Sequence, residues 1–208
     1  MLQRHCLKVG KIAVANFVAA ELAGVHFNWA KLTRGNFIGA KLTGASFKFT
    51  MLAEAAFKME ELEKTDFEEA TLGNRQGVGP YLADSTGLET IYLAVMKWEQ
   101  IKILGDETWA NGNWAKGVII EKELRLDAYR AATRSYRQLA TALEGQGLKE
   151  EAERFAYRAQ IMQRKMLWWR LRQVRVKIGE MCQKYHNLAK KGFYASIGEL
   201  GDDMRQEN

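Results

Sequence analysis

The side chains able to do acid–base, nucleophilic or metal chemistry are few and scattered. The three histidines (His5, His26, His186) are scattered, and of the two cysteines (Cys6, Cys182) the first adjoins His5. A tetrahedral metal site needs four donors, and His5-Cys6 has no partner spacing around it. Two distant cysteines make no disulfide framework either. Gly73, Gly77 and Gly79 are not followed by the Gly-Lys-Ser/Thr of a phosphate-binding loop. The acid pairs Asp106-Glu107 and Asp202-Asp203 fall in segments that read as loop and tail, where solvation is expected. No nucleophile–base arrangement can be assembled. The sequence therefore assigns no catalytic residue, no cofactor and no metal, and a non-enzyme is expected.

Charge is the one concentrated feature. From Arg154 to Lys191 there are eleven basic residues against the single acid Glu180, a net +10 where the whole chain carries +6. Arg164, Lys165, Trp168, Arg170, Arg172, Arg175 and Lys177 are the candidates for contact with an anionic membrane surface or, less favoured, nucleic acid. The alternative is a solvated face that aids solubility. The first residues lack the apolar core of a signal peptide, and no apolar run is long enough to span a bilayer. A cytoplasmic protein is expected, with a membrane-peripheral location as the variant.

The elements that hold these residues start from a repeat. Large apolar residues recur every five positions: Phe17, Leu22, Phe27, Leu32, Phe37, Leu42, Phe47, Leu52, Phe57, Leu62, Phe67 and Leu72. The phase extends back through Ile12 and Leu7. Two positions before each hit the residue is small, except Val25 and Glu60, and the residue just before it is mostly polar. A period of five fits neither a helix nor an alternating strand. It fits a coil of short extended sides, each pointing one large and one small residue inward. Phe and Leu alternate, so only a four-sided coil of twenty residues stacks like on like. That predicts Phe17/Phe37/Phe57 and Phe27/Phe47/Phe67 columns on opposite faces. An unpaired Glu60 in an inward slot would be costly, so a bulge or an outward turn is expected there.

Ala15-Asn16-Phe17, Ala30-Lys31-Leu32, Gly35-Asn36-Phe37 and Thr65-Asp66-Phe67 resemble the pentapeptide-repeat family, whose motif is roughly Ala-Asp/Asn-Leu-X-X. The resemblance implies a right-handed quadrilateral β-helix, and with the helices described below a β-solenoid plus α fold class. Residues 1–72 are the expected repeat domain. Residues 73–118 follow as a degenerate terminal coil, cap and connector: Leu88, Leu93, Trp98 and Ile103 resume the spacing of five, sixteen rather than fifteen residues after Leu72. Gly105 to Gly117 reads as irregular, with Trp109 and Trp114 packing under the helices.

Residues 119–191 read as an α-helical hairpin with a long basic second helix, and 192–208 as a polar tail. Tyr129, Ala132, Tyr136, Leu139 and Leu143 form one apolar stripe, and Gly145-Gln146-Gly147 ends that helix. Leu148, Ala152, Phe155, Ala159, Met162, Met166 and Trp169 form the facing stripe, in a turn that looks like a tetratricopeptide-type hairpin. A further 4-3 stripe, Leu167, Leu171, Val174, Ile178, Met181, Tyr185 and Leu188, has no intrachain partner of comparable size, and self-association through it is expected. Folding back on the β-helix is the alternative. The run from Tyr136 through Lys165 is similar to a segment of bacterial pentapeptide-repeat membrane proteins, where it leads into a transmembrane region. Here a basic helix follows instead, so channel activity does not carry over.

These features suggest a non-catalytic scaffold: a rigid β-helical surface, a protein partner not identified by sequence, and helices that self-associate into a homo-oligomer or dock a partner. The alternative is a peripheral adaptor on an anionic membrane or nucleic acid. Some family members mimic DNA to inhibit topoisomerases, but that needs an acidic rod. Residues 1–80 carry ten Lys/Arg against eight Asp/Glu.

Overall fold

The structure is a computed structural model. It describes residues 15–58, 61–112 and 122–206. The chain divides between Met166 and Leu167 into two compact units.

The first unit begins with the repeat, a β-helix. Its bridges are isolated and parallel, and they recur every five residues: Asn16 with Asn36, Glu21 with Lys41, His26 with Ser46, Lys31 with Met51. Each joins residues twenty apart, so one coil holds twenty residues and four bridge positions. Among the described residues the sides are too short to form longer strands.

Between bridges the chain turns a corner. The amide of Ala20 donates to the Phe17 carbonyl at 3.1 Å, and Ala19, third residue of that turn, has φ 56°. Trp29, Arg34, Phe49, Glu54, Lys64 and Glu69 take the same left-handed conformation at equivalent corners. Non-glycine residues enter that region at a cost of about 1–2 kcal/mol each, so neighbouring coils must hold the corners. They do so through paired bonds: Phe17 N–H donates to Asn36 O at 2.7 Å, and Asn36 N–H to Ala15 O at 2.8 Å. The polar column before each large residue also has a cause. Asn16, Asn36 and Asp66 each accept, through Oδ1, the amide two residues on, at 3.0–3.2 Å.

Inside, the rings form two columns. Phe17, Phe37 and Phe57 stack at 5.0 and 5.1 Å, and Phe27, Phe47 and Phe67 at 5.0 and 5.2 Å. The two columns meet edge to face across the core, Phe37 to Phe47 at 5.5 Å. Leu32, Leu42 and Leu52 are fully buried with them. Thr50 and Thr65, larger than the alanines of the small column, fit because their hydroxyls donate to Phe27 O and Leu42 O in the preceding coil at 2.8 and 3.1 Å. The expectation for Glu60, and those for Ile12 and Leu7, lie outside the described residues.

Beyond Thr71 the ladder changes step. Ala56 pairs with Tyr81, Glu61 with Thr86 and Val78 with Ile103, each twenty-five apart. Five extra residues enter between Thr71 and Tyr81, in a loop that Asn74 organises by accepting the amides of Gln76 and Val78 at 2.9 Å. Leu82, absent from the expected column, is buried. The further one-residue shift falls at Gly87, with φ 77°, where a Cβ would meet the Glu63 nitrogen at 2.8 Å. Leu88, Leu93 and Trp98 then each open a short 3-10 turn and are buried.

Two of the expected boundaries are corrected. Gly105–Ala110 is not an irregular connector but a helix, α1, and Trp114 lies outside the described residues. Helices α2 (Lys122–Gly145) and α3 (Lys149–Gln206) follow. The segment read as a polar tail, 192–208, is therefore helical as far as Gln206. Its glycines cost about 1 kcal/mol each but, unlike proline, leave every amide donor in place. The α2–α3 turn is as expected: Gly147 has φ 82°, and Leu148 N–H donates back to Leu143 O at 3.0 Å. Residues of α3 up to Met166 belong to the first unit and those from Leu167 to the second.

Candidate interaction surfaces

The last turn of the coil has no further coil to pair with, and the hairpin supplies the missing partners. Gln146, between the two glycines, accepts from Leu93 N–H at 2.8 Å and donates to Ile91 O at 2.6 Å. Arg154 donates to Trp98 O at 2.7 Å, and Arg134 pairs with Asp84 at 2.8 Å. Phe155 lies fully buried against Trp98 and Tyr136. Tyr129, Ala132, Tyr136, Leu139 and Leu143 are all buried, as the stripe requires.

A buried polar cluster sits beneath this cap, and it corrects the solvated assignment of Asp106-Glu107. Their exposures are 2% and 3%. Both lie in the first turn of α1, which aims them into the protein. Asp106 accepts the Leu82 amide through Oδ2 at 2.7 Å. Burial pushes its carboxyl above the usual range, with the Leu82 N–H opposing. Tyr136 donates its hydroxyl proton to Glu107 at 2.7 Å and accepts the Leu104 amide at 2.8 Å. Burial, followed by the Glu107 charge, drives the Tyr136 hydroxyl far up. Arg158 lies 3.4 Å and Lys165 3.8 Å from Glu107, and Lys165 also donates to Asn111 at 3.0 Å. Lys165, half-buried, thus also has partners within the fold. The cluster joins coil, cap helix and hairpin; Glu107 is held by Tyr136, Arg158 and Lys165, while Asp106 is held through Oδ2 and its buried Oδ1 has no hydrogen-bond partner among the described residues.

Two open grooves flank it. One, about 620 Å³, lies between coil corners and α1 and is lined by Arg34, Glu54, Lys58, Asn74, Tyr81 and Trp109 among others. The Lys58 ammonium sits 5.2 Å from the Tyr81 ring centre and 5.0 Å from that of Trp109. Arg34, Glu54 and Asn74 stack at one-coil spacing, but sequence could not find the groove, because Tyr81 reaches it only through the five-residue insertion that pairs it with Ala56. The other, about 740 Å³, lies along α2 and α3 over Ala140, Ala152, Ala156 and Ala159, rimmed by charges. On the coil surface Trp29, 72% exposed, stacks on Phe49 at 4.2 Å.

In the second unit, Leu167, Leu171, Val174, Ile178, Met181 and Tyr185 are all exposed. Leu188 lies outside the described side chains. Trp168, Arg170, Arg172, Arg175 and Lys177 are exposed as well, as is Arg164 at the end of the first unit. The Arg172 guanidinium lies over Trp168 and Trp169, at 5.4 and 5.6 Å. Of the described chemistry-bearing residues, Cys182 and His186 are exposed, and His5 and Cys6 lie outside the described residues. Among the described residues no cluster of metal-ligating side chains occurs, and no helix is long and apolar enough to cross a membrane.

Residues 15–58 match the family model of pentapeptide repeats, in eight copies. The chain carries a pentapeptide-repeat region. Among solved structures it is similar to a pentapeptide repeat protein from the Arabidopsis thaliana thylakoid lumen, at 19% identity and a TM-score of 0.31, covering 59% of this chain and 76% of that one. No curated protein matches. Parallel bridges continue past the matched residues, as far as Ile103.

Proposed function

We propose that this protein is a non-catalytic interaction scaffold. Its pentapeptide-repeat coil, taken as right-handed and four-sided, is the rigid mount, and the helix beyond Met166 is the docking element. The buried acids tie α1 to the coil and the hairpin, and the hairpin is already committed to closing the coil end. The observation that carries the proposal is the apolar stripe from Leu167 to Tyr185, with six large residues 46–65% exposed. Exposed apolar patches of this kind mark interaction sites. Affinity capture from native lysate tests it. The full chain should retain a stoichiometric partner that survives high salt, and the Leu171→Ser/Ile178→Ser/Tyr185→Ser variant, with unchanged helicity, should lose it. Equal retention by both, or by neither, refutes the proposal.

A second reading rests on Arg170, Arg175 and Lys177, exposed beside Trp168. It makes the same helix an anionic-surface contact. Flotation with phosphatidylserine vesicles that vanishes at high salt and persists in the stripe variant would favour it over the first.

A further inference from the structure

Resting on the scaffold proposal above, we infer that the stripe from Leu167 to Tyr185 docks an amphipathic helix with acidic flanks, contributed by another protein. The 4-3 spacing places Leu171, Ile178 and Tyr185 at one core position of a heptad, and Leu167, Val174 and Met181 at the other. The flanking positions are Arg170, Lys177 and Lys184 on one side and Trp168, Arg175 and Cys182 on the other. These flanks hold four cations and no acid, and Glu180 lies away from the seam. Flank charges meet across a paired seam and set partner choice and orientation. A second copy packed in parallel would bring Arg170 and Arg175 of the two chains together. Packed antiparallel, the Arg170–Lys184 edge would face itself. Both arrangements set like charges against each other, whereas acidic flanks pair with all four.

A bilayer is the poorer complement. An interfacial helix buries a broad apolar arc. Here the apolar residues keep to a narrow seam, Val176 and Trp169 lie on the opposite side of the helix, and Arg172 is drawn over the two tryptophan rings.

The test titrates the full chain into two labelled synthetic peptides of about four heptads. Both carry Leu at the core positions, one with Glu at every flank and one with Lys. The Glu peptide should bind saturably, and the Lys peptide at least about tenfold more weakly, from the summed flank pairs. Arg170→Glu/Arg175→Glu/Lys177→Glu should swap that preference, a gain that misfolding cannot produce. Leu171→Ser/Ile178→Ser should abolish binding of both peptides. Equal affinity for the two peptides, an unswapped preference or no binding of the Glu peptide overturns the inference. So does a stripe-dependent dimer in sedimentation, which would make a second copy the occupant. Phosphatidylserine vesicles displacing the Glu peptide would overturn it in favour of a membrane. A stripe-dependent lysate partner without Glu-peptide binding sinks this inference alone. Swapped peptide preference with no lysate partner sinks the scaffold proposal alone.

Discussion

Replacing Phe47 tests whether ring stacking between coils, beyond simple burial, holds the repeat together. Phe47 is fully buried and stacks on Phe27 at 5.0 Å and on Phe67 at 5.2 Å. It also meets Phe37 and Phe57 edge-on at 5.5 and 5.8 Å. Among the described residues Phe67, at the end of the same column, has Phe47 and Phe57 alone as ring partners. Leucine occupies every other inward slot, so it fits the backbone, and a near-isosteric swap alone costs under about 1.5 kcal/mol. Each aromatic pair adds about 0.5–1.5 kcal/mol beyond area burial. Leucine's own contacts recover part of that, so Phe47→Leu should cost about 2–3 kcal/mol and Phe67→Leu about half as much. Urea unfolding followed by circular dichroism, with a common slope for wild type and variants, measures both. Equal costs, or a larger cost at Phe67, would refute stacking as the distinguishing energy and leave burial alone.

Three further predictions follow from the packing. Gln146→Ala leaves the Leu93 amide and the Ile91 carbonyl without partners, so about 1–3 kcal/mol should be lost; hydrogen exchange should quicken at residues 88–101 and stay unchanged at 30–58. Asp106→Asn should flatten the acid side of the stability profile. The folded carboxyl holds its proton more tightly than the unfolded one, so wild-type stability falls as pH rises from the ordinary carboxylate range to the raised folded value and is level above it. The variant should therefore gain on wild type as pH rises from 4 to 7, and parallel urea midpoints would contradict the assignment. Gly44→Ala meets no neighbour within 4 Å but must hold φ 69°, so it should cost about 1 kcal/mol purely through the backbone. A neutral result would mean that the corner can relax.

The coil was legible because each side needs one large inward residue, and that demand writes itself into the sequence at a fixed period. What escaped is what the run of large residues does not mark. Leu82 keeps the period, ten residues past Leu72, but Gly77 stands at the position between them and hides the continuation. The Asp106-Glu107 pair reads as surface because its partners come from far along the chain: the Leu82 amide, the Tyr136 hydroxyl and Arg158. Charge patterning alone could not separate Lys165 from Arg164. They are adjacent in sequence, but one turns to Glu107 and Asn111 while the other stays in solvent. The exposed stripe was visible because heptad spacing survives in the sequence whether or not a partner is present.

A repeat that stacks by backbone bonds ends with unpaired groups at its last turn, and such an edge invites pairing with other chains. Here the closing device is helical. Gln146 bonds both ways to the final turn, and Phe155 and Tyr136 fill the space over Trp98. This use of the hairpin commits the inward faces of α2 and of early α3, so neither is free to bind. After Met166 the apolar positions shift phase: the first stripe ends at Trp169, and a second begins at Leu167, one residue out of phase with Met166. A helix needed only as a cap would turn polar at that point. This one instead carries a second 4-3 seam with cationic flanks, a pattern the coil end does not use. On the scaffold proposal, the one-residue phase step between the two stripes marks where the helix passes from closing the fold to contacting a partner.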